Sequence, residues 1–151
     1  MEDTEFDRLM SEVGPLDETI LACIKTPDGT YAIRFEEVDV LVERDGDRDR
    51  IALSVEIGAP QPTNALSVYE TLLSYNLLWQ ETGGVRMALT GKGGNVVQFV
   101  DLTGTEINPT SIATVAVNLA SLTEIWRAFL ESEGSDLAAP EPVSTGDFIR
   151  A

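Results

Sequence analysis

Between Tyr31 and Ile57 the apolar residues fall into three alternating runs: Ile33 and Phe35, then Val38, Val40 and Val42, then Ile51, Leu53, Val55 and Ile57. A period of two places every apolar side chain of a run on one side of an extended chain, so each run reads as a strand with one apolar face. Asp45–Gly46 separates the second run from the third, and such a pair favours a tight hairpin because glycine accepts a positive φ without steric cost. The two strands are expected to pair antiparallel. A sheet with one apolar face has to bury that face, and the remainder of the chain supplies helices to do it.

Phe6, Leu9, Met10 and Val13 recur at i, i+3, i+4 and i+7, the spacing of one helix face, and Gly14–Pro15 ends that helix. Residues 16–25 fit two readings: Leu16, Ile20 and Ile24 align on a helix, whereas Ile20, Leu21 and Ile24 also suit a strand before the turn at 26–29. A second helix is expected from about Ala65 to Gln80, capped by Thr63 or Asn64 and closed by Gly83–Gly84. Residues 85–90 and 95–102 flank "GKGG" as a second hairpin, and Asn108–Pro109 opens a last helix with Ile112, Val115, Leu119, Leu122, Trp126 and Leu130 on one stripe. The order is helix, three antiparallel strands, helix, β-hairpin, helix: an α+β fold forming one domain over 1–131. Residues 132–151 are poor in large apolar side chains and rich in Pro, Ser, Gly and acid, and are expected to be disordered.

The second helix carries more apolar surface than one sheet can cover. Leu66, Val68, Tyr69, Leu72, Leu73, Tyr75, Leu77 and Trp79 span roughly 200° of its circumference, about twice what packing on a single sheet uses. Asn76 falls near the centre of that arc, where an unsatisfied amide is costly and a polar group often fixes register or partner choice. Such a helix is either buried on two sides within the domain or shared between the core and a subunit interface. With three helices in the chain there is little to cover the second flank, which favours the interface.

Composition narrows the chemistry. The chain carries 26 acidic and 10 basic residues, a net charge of -16, with no basic cluster, so nucleic acid and anionic lipid surfaces are poor partners. No apolar run approaches the roughly 20 residues of a membrane span, and the N-terminal stretch has neither a basic nor an apolar leader region, which makes a cytoplasmic location the expectation. There is no histidine, so histidine-based nucleophile systems and imidazole metal sites are out of reach, and Cys23 is alone. Asp45, Asp47, Asp49 and Glu56 match four positions of a calcium loop, but Arg50 stands where that loop needs glycine and an alternating strand follows. "TGKGGN" lacks the spacing of a phosphate loop. Acid pairs such as Glu36 and Glu37 suit a solvated surface better than catalysis. No enzyme activity, metal or cofactor is expected.

The order of elements, the stretch "LLSYNLLW" followed by "GGVRMALTGKGGNVVQFVDL", and the final helix ending "EIWRAFL" resemble the class I chaperones of type III secretion systems, the Tir chaperone family. The resemblance implies a cytoplasmic bacterial homodimer that holds the N-terminal chaperone-binding segment of a secreted effector in extended form, without ATP. It places the dimer seam at Leu73, Asn76, Leu77 and Trp79 on the second helix and at Val85, Met87 and Leu89 on the hairpin. It makes Phe6, Leu9, Met10, Ile33, Phe35 and Val40 candidates for client contact, although alternation also requires the strand residues for an inner face. A dimeric adaptor of the same fold, binding a folded regulatory protein, is the alternative.

Overall fold

The alternating runs become strands and the apolar stripes become the helices that cover them. The computed structural model describes residues 1–46 and 48–132. Helix α1 (Asp3–Val13) leads to β1 (Ala22–Lys25), β2 (Tyr31–Arg34), β3 (Asp39–Asp45) and β4 (Arg50–Gly58). Helix α2 (Ala65–Leu77), the hairpin β5 (Arg86–Leu89) and β6 (Val96–Thr103), and helix α3 (Pro109–Glu131) follow. All neighbours in the sheet are antiparallel, in the order β1-β2-β3-β4-β6-β5.

Residues 22–25 are the one strand the sequence left open, so four strands rather than three precede α2. Cys23 pairs with Ile33 and Lys25 with Tyr31 across a turn in which the Thr26 hydroxyl donates to the Thr30 carbonyl at 2.8 Å and Gly29 adopts a φ of 90°. Helix α2 stops at Leu77, three residues before Gln80, because the chain then turns on bonds from Glu81 N–H to Leu78 C=O and from Gly84 N–H to Trp79 C=O. Asn64 sits at its N-cap without capping it; the side-chain amide donates instead to the carbonyls of Leu130 and Ser132 and ties the start of α2 to the end of α3. At the start of α3, Asn108 accepts from Ser111 N–H at 2.9 Å and Pro109 occupies the first turn. The tail beyond Ser132 lies outside the described residues.

Helices α1 and α3 lie on the apolar face of the sheet. Every residue of the α3 stripe is buried, and Trp126 is fully enclosed with its ring edge-on to Tyr75 of α2 at 5.0 Å and to Phe129 at 5.7 Å. Gln98 of β6 is also fully buried, and its amide donates to Leu119 C=O at 2.8 Å and Thr123 Oγ1 at 2.9 Å, pinning α3 to the central strands.

Helix α1 is held from outside by Asp7, which accepts from Lys25 Nζ at 2.6 Å and from the Tyr31 hydroxyl at 2.9 Å. The Lys25 bond, then the Tyr31 bond, keep the Asp7 carboxyl below its ordinary 3.8. Burial, then the Asp7 bond, push the Tyr31 phenol up to about 12. A carboxyl with a depressed folded value stabilises fully above 3.8 and loses that contribution as pH falls through the folded value. Asp7→Asn is therefore expected to lower Tm at neutral pH, with the gap from wild type closing as the pH drops below 3.8. A gap that persists under acid would assign the effect to packing.

Candidate interaction surfaces

The wide apolar arc of α2 divides into two stripes. Val68, Leu72 and Tyr75, at i, i+4 and i+7, face the core, whereas Leu66, Leu73 and Leu77, at i, i+7 and i+11, face solvent. Leu73 is 70% exposed and Leu77 81%, with Trp79 and Leu89 exposed beside them. A groove of about 290 Å³ runs between α2 and β5, lined chiefly by Tyr69, Leu72, Leu73, Met87 and Leu89. Leaving such side chains in water forgoes about 25 cal/mol per Å² of burial, and a contiguous patch of them marks an interaction surface. Of the seam residues expected from sequence, Leu73, Leu77, Trp79 and Leu89 are on this surface; Val85 and Met87 are buried beneath it.

Asn76 lies between the two stripes, half-buried. Its Oδ1 accepts from Met87 N–H at 2.7 Å and its Nδ2 donates to Met87 C=O at 2.9 Å, so both halves of the amide are satisfied by β5 backbone. Next to it the buried Thr82 hydroxyl donates to Val85 C=O at 3.1 Å. The polar interruption in the apolar arc is a helix-to-strand clamp.

The other end of the sheet carries a second apolar surface. Leu21, immediately before β1, is 64% exposed on the helix side, beside Phe35 and the α3 residues Ala120 and Glu124, and Ile24 is exposed on β1 itself. Ile24, Ala32 and Leu41 are cross-strand neighbours over β1, β2 and β3, on the opposite side of the sheet from the buried Ile33 and Val40. Because Thr26 N–H bonds Thr30 C=O, the alternation of an antiparallel ladder turns Ile24 toward β2 and turns the N–H and C=O of Cys23 and Lys25 outward. No partner meets those outward groups among the described residues. Here β1 is an open edge.

The structure buries five of the six residues suggested for client contact. Phe6 and Met10 of α1 pack with Ile33, Phe35 and Val40 in the core, and Leu9 is half-buried at its margin. Ile24 and Leu41 take the exposed role instead. Their only sequence signal is apolar character in positions that the inner face does not claim.

The remaining constellations disperse. Glu56 pairs with Val97 six residues along β4 from Arg50, about 20 Å at a strand's rise, too far to join Asp45 and Asp49 in one cage. No group of three His, Cys, Asp or Glu side chains among the described residues is arranged to hold a metal. In the "GKGG" turn Gly93 has a φ of 68° and a Cβ on Gly94 would strike the Thr90 hydroxyl, so hairpin geometry accounts for these glycines. Glu36 and Glu37 are both exposed. Cys23 is half-buried, and burial pushes its thiol up. No helix among the described residues is long and apolar enough to cross a membrane.

Residues 21–127, from the start of the open edge to the last turns of α3, match the Tir chaperone protein (CesT) family. The chain belongs to that family. The Tir chaperone fold extends across the structure: a chain in the crystal structure of the ExsC–ExsE complex is 16% identical, with 85% of this chain and 96% of that one covered at a TM-score of 0.69. A chain in the structure of the HopA1–SchA chaperone–effector complex is 14% identical, covering 83% and 95% at a TM-score of 0.65. At these identities the likeness is one of fold. No curated protein matches the sequence. A Tir chaperone works by binding, which agrees with a chain whose outstanding features are two apolar surfaces and an open strand edge.

Proposed function

We propose that this Tir chaperone family member is a cytoplasmic type III secretion chaperone: a homodimer joined at the α2/β5 surface that keeps the N-terminal segment of a secreted effector extended, without ATP and without catalysing a reaction. The observation that carries the reading is the open β1 edge with the exposed Ile24 and Leu41 on one side of it. An extended chain can add a strand there through the outward groups of Cys23 and Lys25 and lay alternate side chains on the apolar surface. That exchange stores no energy and needs none from a nucleotide. The net charge of -16 supports the role by keeping apolar surfaces soluble and unloaded copies apart. A chain of the HopA1–SchA chaperone–effector complex shares this fold, which supports the reading.

Capture of the tagged chain from its native cytoplasm tests the reading. A client held through a protease-sensitive N-terminal segment supports it, whereas a partner that stays folded and protease-resistant when bound replaces it with the adaptor reading. The edge is tested with Lys25→Pro, which removes an outward N–H that β2 does not use and leaves the fold intact, as edge positions tolerate proline. Client affinity is expected to fall about tenfold or more, from the lost bond and the ring in the path of the added strand, while Lys25→Ala binds nearly as wild type. Equal binding by the two variants would place the client elsewhere.

A further inference from the structure

The sheet has two ends, and the structure treats them differently. In β5, Thr90 N–H bonds Asn95 C=O at 2.9 Å, which sets the phase of the ladder: Arg86 and Ala88 spend their backbone groups on β6, and Val85, Met87 and Leu89 turn theirs outward. Thr82 occupies the outward carbonyl of Val85, and Asn76 occupies both outward groups of Met87. A side-chain amide presents a donor and an acceptor in one plane, as a peptide group does, so Asn76 stands in for a neighbouring strand. Only Leu89 is left with outward groups free of these clamps, and one residue cannot seed a ladder. At β1, by contrast, Cys23 and Lys25 are two successive outward residues without partners among the described residues.

We propose that Asn76 seals the β5 edge and thereby confines strand addition to β1, making it the residue that decides which end of the sheet receives an extended partner. The inference rests on the strand-addition reading above. It also predicts behaviour of the chain alone, because an unsealed edge pairs with its own copies.

Amide hydrogen exchange on the unliganded chain is the first measurement: the Met87 amide is expected to exchange slowly, and the Cys23 and Lys25 amides fast. In Asn76→Val the Met87 amide is expected to exchange at least tenfold faster in dilute solution. Sedimentation should then show association beyond the wild-type species as concentration rises, and this association should survive addition of Lys25→Pro, which removes a β1 donor. Protection of Cys23 and Lys25 equal to that of Met87 in the wild type overturns the proposal, as does an Asn76→Val chain with wild-type oligomeric state or wild-type Met87 protection. None of these readouts uses a client, so failure of client capture bears on the proposed function and leaves edge sealing standing.

Discussion

Leu77→Asp is expected to leave the chain folded and take the proposed α2-joined dimer apart. Leu77 is 81% exposed on the outward stripe of α2, so within one chain a carboxylate there meets water and changes stability by no more than about 0.5 kcal/mol. In a seam formed by Leu66, Leu73, Leu77 and Trp79 the same carboxylate would be buried without a partner, at a cost of roughly 3–5 kcal/mol, or more than a hundredfold in dissociation constant. Light scattering over a concentration series reads the change directly, and circular dichroism confirms that α2 is intact. A Leu77→Asp chain that stays dimeric removes α2 from the seam.

Trp126→Ala acts on the fold instead. The indole is fully buried where α3 meets the inward stripe of α2, edge-on to both Tyr75 and Phe129. Removing it leaves a cavity lined by two aromatic rings, and a buried tryptophan cut to alanine costs about 3–5 kcal/mol. Against a total of about 5–15 kcal/mol, that lowers the urea midpoint by roughly 2 M at the slopes usual for small proteins. With two tryptophans in the chain, the variant also reports Trp79 alone, and its emission should shift to the red on dilution as the seam opens and the ring, 52% exposed in the single chain, meets water. A loss under 1 kcal/mol would mean that α2 and α3 close over the gap.

Most of the architecture was legible because periodicity is a local property. Alternation gave β2, β3 and β4, and the α3 stripe from Ile112 to Leu130 is buried residue for residue. Strand β1 was illegible because four residues are too few to separate a period of 2 from one of 3.6, and Ile20 and Ile24 satisfy both. Exposure was illegible for a different reason. Alternation states that Ile33 and Leu41 lie on opposite faces, but which face α1 and α3 cover depends on contacts far along the chain. Hence the apolar residues most regular in sequence, such as Phe6, Ile33 and Val40, are core, and the less regular Leu21 and Ile24 are surface. Asn76 was visible as a polar break in an apolar arc, while its partner, a backbone edge eleven residues on, was not.

The order of strands also measures length. Five inter-strand spacings of about 4.8 Å separate β1 from β5, so the receiving edge stands roughly 24 Å from the α2/β5 end of its own sheet. If two chains meet through α2, each contributes its own helix, so two helix layers of about 10 Å lie between their sheets and the two receiving edges stand roughly 70 Å apart. An extended polypeptide covers about 3.3 Å per residue, so a single client reaching both edges has to carry about 21 residues between its two strand segments. The sheet is thus a ruler: a shorter client fills one edge and leaves its twin vacant, and a client with a spacer of that length ties both halves of the dimer together.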